Sequence, residues 1–446
     1  MVLLINPKTS KPTEKNKEFL REPNIGLLYL AAILDSNNIN VEILDLEQFM
    51  KLSQNQRKKI IIESTSAHQI IGITSLTNTF HNALHIATII KNQFPKKFVI
   101  MGGAHVSFLY DSILKADYHN KKIIDFICIG ESEDNFLKLV KIFLTHDVNS
   151  SDFEVLEYKI NKIKDIAYIN SKGKYVYTGV QREIINIDNL PLPARYKLSP
   201  INYAYTVANV IVNRGCPNQC SFCSRQKLFK TTRIKSLNSL IAEIRDIKSS
   251  YTYEFINFYD NINLNKKFFQ KFCKVLKSKE FTLPWGCELR VDNISYADAK
   301  LLKEGGCKVI ATGIESASEK VLQKNFKYQN PERVKRGIEY LKKVDISVQA
   351  YFILGLPGET QKTFHKTINY IKNLPLNEED TINYFIATPY PGSKLWEDRK
   401  SFQIDIFEHD FSKYDCNHLI FETKDLKKEQ LEKMRKGAIE IEKYFQ

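Results

Sequence analysis

The stretch NRGCPNQCSFCSRQ, residues 213–226, places Cys216, Cys220 and Cys223 within eight positions at a C-x3-C-x2-C spacing. It follows directly on an apolar, strand-like run, YTVANVIVNR (205–214), so the thiols lie in the loop at a strand's carboxyl end. Catalytic groups of (β/α) barrels gather at that end. Three thiolates with no neighbouring fourth cysteine or histidine are too few for a closed zinc site, which takes four ligands, unless Cys287 or Cys307 is recruited from elsewhere. A redox dithiol needs only two. A cluster of four irons normally takes four thiolates. With three, one iron keeps open positions that a small chelator, such as an amino acid's amine and carboxylate, can fill.

Downstream, strand-like pieces recur: EFINFYD (254–260), LPWGCELR (283–290), CKVIATGIE (307–315), ISVQAYFILG (346–355) and TINYFIAT (381–388). Helix-like intervals at 237–249, 265–279, 297–305, 331–344 and 361–373 separate them. Six such units predict a partial (β/α)6 barrel of the TIM type over 196–395, smaller than the eight-stranded form. Upstream, over 1–140, short apolar runs alternate with segments of helical spacing such as NALHIATIIKNQF (82–94). The runs are VLLI (2–5), VEILDL (41–46), QIIGIT (69–74), KFVIMGG (97–103) and DFICIG (125–130). This pattern predicts a Rossmann-like, doubly wound parallel sheet, making the chain α/β throughout. Residues 141–195 are less regular, carry a hairpin signal at Ser171-Lys172-Gly173, and read as a connector. Residues 396–446 read as a polar extension ending in the helix KKEQLEKMRKGAIEIEKYF.

At 446 residues, 43% hydrophobic and 26% charged, the chain is globular and long enough for two domains. Its net charge of +14 is spread along the sequence and forms no stripe, so nucleic acid is not expected as a partner. The start, MVLLINPKTS, lacks a positive leader. No apolar run approaches the roughly 20 residues that span a bilayer. A cytoplasmic protein with no membrane partner is therefore expected, its thiols kept reduced. Cys128, Cys273, Cys287, Cys307 and Cys416 are scattered in apolar settings and read as structural thiols.

The C-x3-C-x2-C spacing, with Phe222 just before the third cysteine, resembles the radical S-adenosylmethionine superfamily. The resemblance implies a [4Fe–4S] cluster on Cys216, Cys220 and Cys223 whose open iron binds the methionine end of S-adenosylmethionine. One electron from the cluster then cleaves it to a 5′-deoxyadenosyl radical. Further stretches match in order. FYDNINLN (258–265) would bring Asp260 and Asn261 near the sulfonium or amine. ELRVD (288–292) supplies Arg290 for the methionine carboxylate. GIESASEKVLQ (313–323) supplies Glu315 and Ser316 for ribose hydroxyls. YFILGLPGET (351–360) carries Gly355 of the fifth-strand motif, and IATPYPGSKLW (386–396) matches the sixth-strand loop. Each has a plainer reading: Arg290 as a surface ion pair, Gly355 and Gly358 as a turn. Six in order, all at strand ends, favour the family.

The first domain resembles that of the cobalamin-binding subfamily, the likeness covering roughly residues 1–395. Thr74, Ser75, Leu76 and Thr77 follow the third strand, Gly102, Gly103 and His105 the fourth, and Gly130 and Glu131 the fifth. Glycines let a backbone approach a ligand closely, and small hydroxyls can hydrogen-bond it. The better-known D-x-H-x-x-G signature is missing. Asp117-Tyr118-His119 lacks its glycine and lies between the fourth and fifth strands. The resemblance therefore implies cobalt without a histidine beneath it, Leu76 or Thr77 packing there, and a hydrogen-bonding or structural role for His105.

With both cofactors, the resemblance implies methyl transfer from methylcobalamin to an unactivated carbon or phosphorus centre of a small molecule or peptide. An external reductant such as flavodoxin or ferredoxin would supply electrons. An oxidative cyclase or rearrangement enzyme would use the same cofactors without donating the methyl group. A transfer-RNA methylthiotransferase would carry three further cysteines in its N-terminal domain, where residues 1–150 hold only Cys128. A non-enzymatic iron–sulfur electron carrier or sensor leaves the S-adenosylmethionine motifs unexplained.

Overall fold

The computed structural model describes residues 1–8, 22–120, 122–145, 153–198, 205–259, 261–278 and 281–445. The chain divides into two compact units, Met1–Phe19 with Pro23–Ala204, and Leu20–Glu22 with Tyr205–Gln446. Among the described residues no helix is long and apolar enough to cross a membrane.

In the first unit, β1 (Val2–Asn6), β2 (Val41–Asp45), β3 (Ile70–Thr74), β4 (Phe98–Gly102) and β5 (Phe126–Cys128) form a parallel sheet in the order β2-β1-β3-β4-β5. Helices Ile25–Ser36, Gln54–Ser66, Phe80–Gln93 and Ala104–Asn120 connect them. Parallel strands covered on both faces read as continuous apolar runs, and Val2, Leu4, Ile70 and Ile100 are fully buried in this core. The strand order reverses at β1, so a ligand crevice is expected beyond the carboxyl ends of β1 and β3.

The residues read as a connector extend this sheet. Two short strands are added: β6 (Ile166–Ile169) pairs antiparallel with β5, and β7 (Tyr175–Tyr177) antiparallel with β6, the two joined by the turn at Ser171-Lys172-Gly173. The run up to Ala204 thus belongs to the first unit.

In the second unit, six parallel strands follow one another in chain order: β8 (Val207–Ile211), β9 (Phe255–Tyr259), β10 (Trp285–Glu288), β11 (Cys307–Glu315), β12 (Ser347–Leu354) and β13 (Thr381–Ile386). The return helices begin on polar caps. Ser236, Asn265, Ser295, Asn330 and Thr360 accept from the backbone amides of the first turns of helices Leu237–Ser250, Lys266–Leu276, Tyr296–Glu304, Pro331–Lys342 and Gln361–Lys372. Pro331, at the first helical position, brings its φ already set.

The polar C-terminal segment is no separate appendage. Leu431, Met434, Ala438 and Ile441 of helix Lys428–Tyr444 join the barrel core. Glu442 Oε1 accepts the β13 amide of Tyr384 at 2.7 Å, so the helix covers a sheet edge that would otherwise expose unpaired backbone.

Candidate active site

The cysteine loop is pinned on both sides. Just before it, Asn213–Arg214 pairs antiparallel with Arg233–Ile234. Gly215 then takes φ +82°, where any Cβ would collide with the Thr231 carbonyl. In mid-loop, buried Ser221 donates its hydroxyl to Asn325 Oδ1 at 2.7 Å and its amide to the Asn325 carbonyl at 2.9 Å. Asn218 donates to Cys216 Sγ at 3.4 Å.

All three thiols consequently line one cavity of about 280 Å3, at the carboxyl ends of the barrel strands. Burial pushes Cys220 up to about 11 against the pull of Lys327. It raises Cys223 too, opposed by the amide and guanidinium of Arg225. Ligation needs thiolates, so metal uptake here releases protons. Among the described residues no three histidine, cysteine or carboxylate side chains close on a single-ion point. Three thiols around one cavity fit the separate corners of a polynuclear cluster. Cys287 and Cys307 do not turn toward them. Both are buried in the core around the barrel, Cys287 on the strand face opposite Glu288, which lines the cavity.

Phe222, Asn261, Arg290 and Glu315 also line this cavity. Arg290 is heavily committed. Its Nε and Nη2 donate to the two oxygens of Asp292 at 3.2 and 2.8 Å, Nη2 also reaches the Tyr328 carbonyl at 2.6 Å, and Nη1 reaches Asn218 Oδ1 at 3.3 Å. Of five N–H groups one is left for a ligand, and the side chain steadies Asn218 in the cysteine loop. Glu315 has φ +63°, a strained conformation for a non-glycine residue, and pairs with Lys327 at 2.9 Å. Asp260 lies outside the described residues.

Two expected residues are not brought here. Ser316 is buried, its hydroxyl 3.3 Å from Thr367 on helix Gln361–Lys372 and accepting the Ser318 amide. Gly355, at φ +87°, makes a turn and donates its amide to Glu359 Oε2 at 2.6 Å. Conversely, Arg225, Glu288, Lys327 and Tyr351 line the cavity. Glu288, raised by burial against the pull of Arg225 and Lys327, stands inside the ELRVD stretch, two places before Arg290.

Buried Glu359 gives the fifth-strand turn a pH dependence. Burial raises its carboxyl to about 8, against the bond from Gly355. The unfolded chain releases that proton near 4.5. The folded state therefore binds more protons between those values, and its stability falls as pH rises from about 4.5 to 8. Glu359→Gln keeps an acceptor for Gly355 and removes the titration. In urea melts it is expected to match wild type at pH 5 and to exceed it by about 1–3 kcal/mol at pH 8. A variant less stable at both pH values would refute this.

In the first unit, the loops after β3, β4 and β5 form one ledge. Gly103, at φ +99°, lies so close to the next loop that a Cβ would meet the Ser75 carbonyl at 2.5 Å. Ser107 donates to the Gly103 carbonyl at 2.7 Å and accepts the Gly130 amide at 2.9 Å. Ser75 and Thr77 are buried, Thr74, Gly102 and Glu131 are half-buried, and Leu76 is 52% exposed. His105 is fully buried, its ring centroid 4.3 Å from that of Phe80, and burial pulls it down to about 3, so it stays neutral. A glycine ledge with one exposed apolar side chain fits a flat ligand laid across the strand ends, with His105 beneath in a packing role. Of Asp117-Tyr118-His119, Asp117 accepts the amides of Ile123 and Ile124 at 3.1 and 2.8 Å and so closes the helix Ala104–Asn120.

Two family models match the chain: the Radical SAM superfamily over residues 210–371 and the B12 binding domain over residues 20–140. An uncharacterized methyltransferase of Pyrococcus horikoshii is 30% identical over 444 residues, covering 98% of this chain and 91% of that protein. The chain belongs to the cobalamin-binding radical S-adenosylmethionine family. This radical S-adenosylmethionine enzyme is also similar to the anaerobic magnesium-protoporphyrin IX monomethyl ester cyclase of Rubrivivax gelatinosus, 29% identical over 403 residues, 88% of this chain and 68% of that one. Its fold matches that of the radical S-adenosylmethionine methyltransferase TsrM from Kitasatospora setae, with a TM-score of 0.75 at 15% identity over 98% of this chain and 90% of that one. Its cofactors are accordingly a [4Fe–4S] cluster, S-adenosylmethionine and cobalamin.

Proposed function

We propose that this enzyme methylates an unactivated centre of a small molecule or peptide in the cytoplasm, with electrons from a flavodoxin or ferredoxin. The observation that carries the site assignment is the facing of three thiols onto one cavity at the barrel strand ends, beside Arg225, Lys327 and one unspent N–H of Arg290. Bound there, the cluster and S-adenosylmethionine supply a 5′-deoxyadenosyl radical, and cobalamin supplies the methyl group.

The chain's own part is placement. Cys216, Cys220 and Cys223 hold the cluster. Asn261 and the free N–H of Arg290 meet the methionine end, and Glu315, held by Lys327, meets the ribose. Thr74, Leu76, Gly102, Gly103, Gly130 and Glu131 would seat the corrin, with the exposed side chain of Leu76 packing against it. The similarity to the cyclase favours a second reading, oxidation without methyl transfer.

Reconstituted enzyme with reductant and hydroxocobalamin is expected to retain about one cobalamin per chain and to release 5′-deoxyadenosine. Methyl-labelled S-adenosylmethionine is expected to pass its label to a product heavier by one methyl group. A product lighter by two hydrogens and free of label would establish the cyclase reading instead. No 5′-deoxyadenosine at full cluster loading would refute both.

A further inference from the structure

The barrel strands sort their side chains by alternation. Ile256, Phe258, Ile310, Val348 and Phe352 face the helices and are buried. The other face turns into the lumen, and its members can be read from the register. Asn257 pairs with Asn209 and Gly286, Ala311 with Gln349, and Gly313 with Tyr351, which pairs in turn with Asn383. Ala311, Gly313 and Tyr351 line the cavity that holds the thiols, and the other members of the row share their face of the sheet. A closed eight-stranded barrel fills its interior with branched aliphatic side chains. Here apolar residues such as Val309 and Phe385 share the lumen with carboxamides and phenols, and the side chains of Val309 and Glu315 fill the space beside Gly286 and Gly313.

Onto this face comes Glu22, from the short segment that belongs with the second unit. Its Oε1 accepts from Asn257 Nδ2 at 2.8 Å and its Oε2 from the Tyr259 hydroxyl. Both carboxylate oxygens are held by donors that favour the charged form, yet no basic side chain acts on it among the described residues. Among the described residues the charged group that acts on it is another carboxylate, Glu288. A desolvated carboxylate with a like-charged neighbour, and no counter-ion among the described residues, is unfavourable as it stands. The cation can come from what the lumen receives.

We propose that the barrel lumen takes a polar substrate carrying a protonated amine, with Glu22 as its counter-ion and Asn257 and Tyr259 holding the carboxylate in place. This rests on the reading of the barrel as the radical site and names its substrate class: a hydrogen-bonding amine, as against a flat apolar macrocycle or a hydrocarbon.

The test uses full-length, cluster- and cobalamin-loaded enzyme and two matched probes, 1,4-diaminobutane and 1,4-butanediol. With the cluster reduced, proton resonances of a probe in the lumen broaden by proximity to its unpaired spin. The diamine is expected to broaden saturably and the diol not to. Glu22→Gln is expected to weaken the diamine about tenfold or more at unchanged iron content, and Glu22→Asp to restore part of the loss. Equal broadening by diol and diamine, an unaltered response in Glu22→Gln, or displacement of the diamine by magnesium-protoporphyrin monomethyl ester would each overturn the proposal. 5′-Deoxyadenosine release by the same wild-type sample separates the two readings. Its absence refutes the radical chemistry, whereas failure of diamine binding with release intact refutes only the substrate class.

Discussion

Cys216→Ala, Cys220→Ala and Cys223→Ala are each expected to yield a folded protein without its cluster. Iron falls from about four per chain to background, and 5′-deoxyadenosine release drops below detection. The fold survives because these side chains border a cavity and fill no core, so truncation opens no void. The contrast lies in the other thiols. Cys273 and Cys307 are fully buried against the barrel helices. Their alanine variants are expected to keep full iron and lose about 1–2 kcal/mol in denaturant melts. Wild-type iron in any of the first three, or iron loss in the last two, would contradict the assignment.

The parallel sheet was legible because strands covered on both faces must be apolar throughout, and VLLI, QIIGIT and KFVIMGG leave little choice; the barrel was legible from six strand-like runs alternating with helix-like intervals. The cysteine loop was legible from spacing alone. Other parts were not, for specific reasons. Strands β6 and β7 are four and three residues long and flanked by polar turns, so the pairing of their hairpin through β6 to β5 shows in no local pattern. Lys327 and Glu22 reach the barrel mouth from chain segments with no motif of their own, and only tertiary folding brings them there. Ser316 was legible as a polar residue but not in its direction. It stands just past the end of β11 and turns to Thr367 on the neighbouring helix, a contact that only tertiary folding makes. Arg290 was legible as a charge at a strand end, but its commitment to Asp292 comes from the short turn Val291–Asn293 that follows it.

Lys327→Met is expected to lower the stability of the apoprotein by about 3–5 kcal/mol, the range seen when one partner of a buried pair is removed. Lys327 and Glu315 have side chains only 12% and 8% exposed, and their contact is 2.9 Å. Burial works against the lysine's charge, but the Glu315 carboxylate and Cys220 outweigh it and hold its pKa above the usual range. Glu315 occupies its left-handed conformation next to a register shift between β11 and β12, so the ion pair also holds a strained strand end in place. Methionine matches lysine in length and leaves the carboxylate buried and uncompensated, so the loss reports on charge and not on packing. The double variant Glu315→Gln/Lys327→Met removes both charges and is expected to recover most of that stability in a double-mutant cycle. If the double variant proves as unstable as Lys327→Met alone, the destabilisation comes from lost packing around residue 327 and the pair does not hold the strand end.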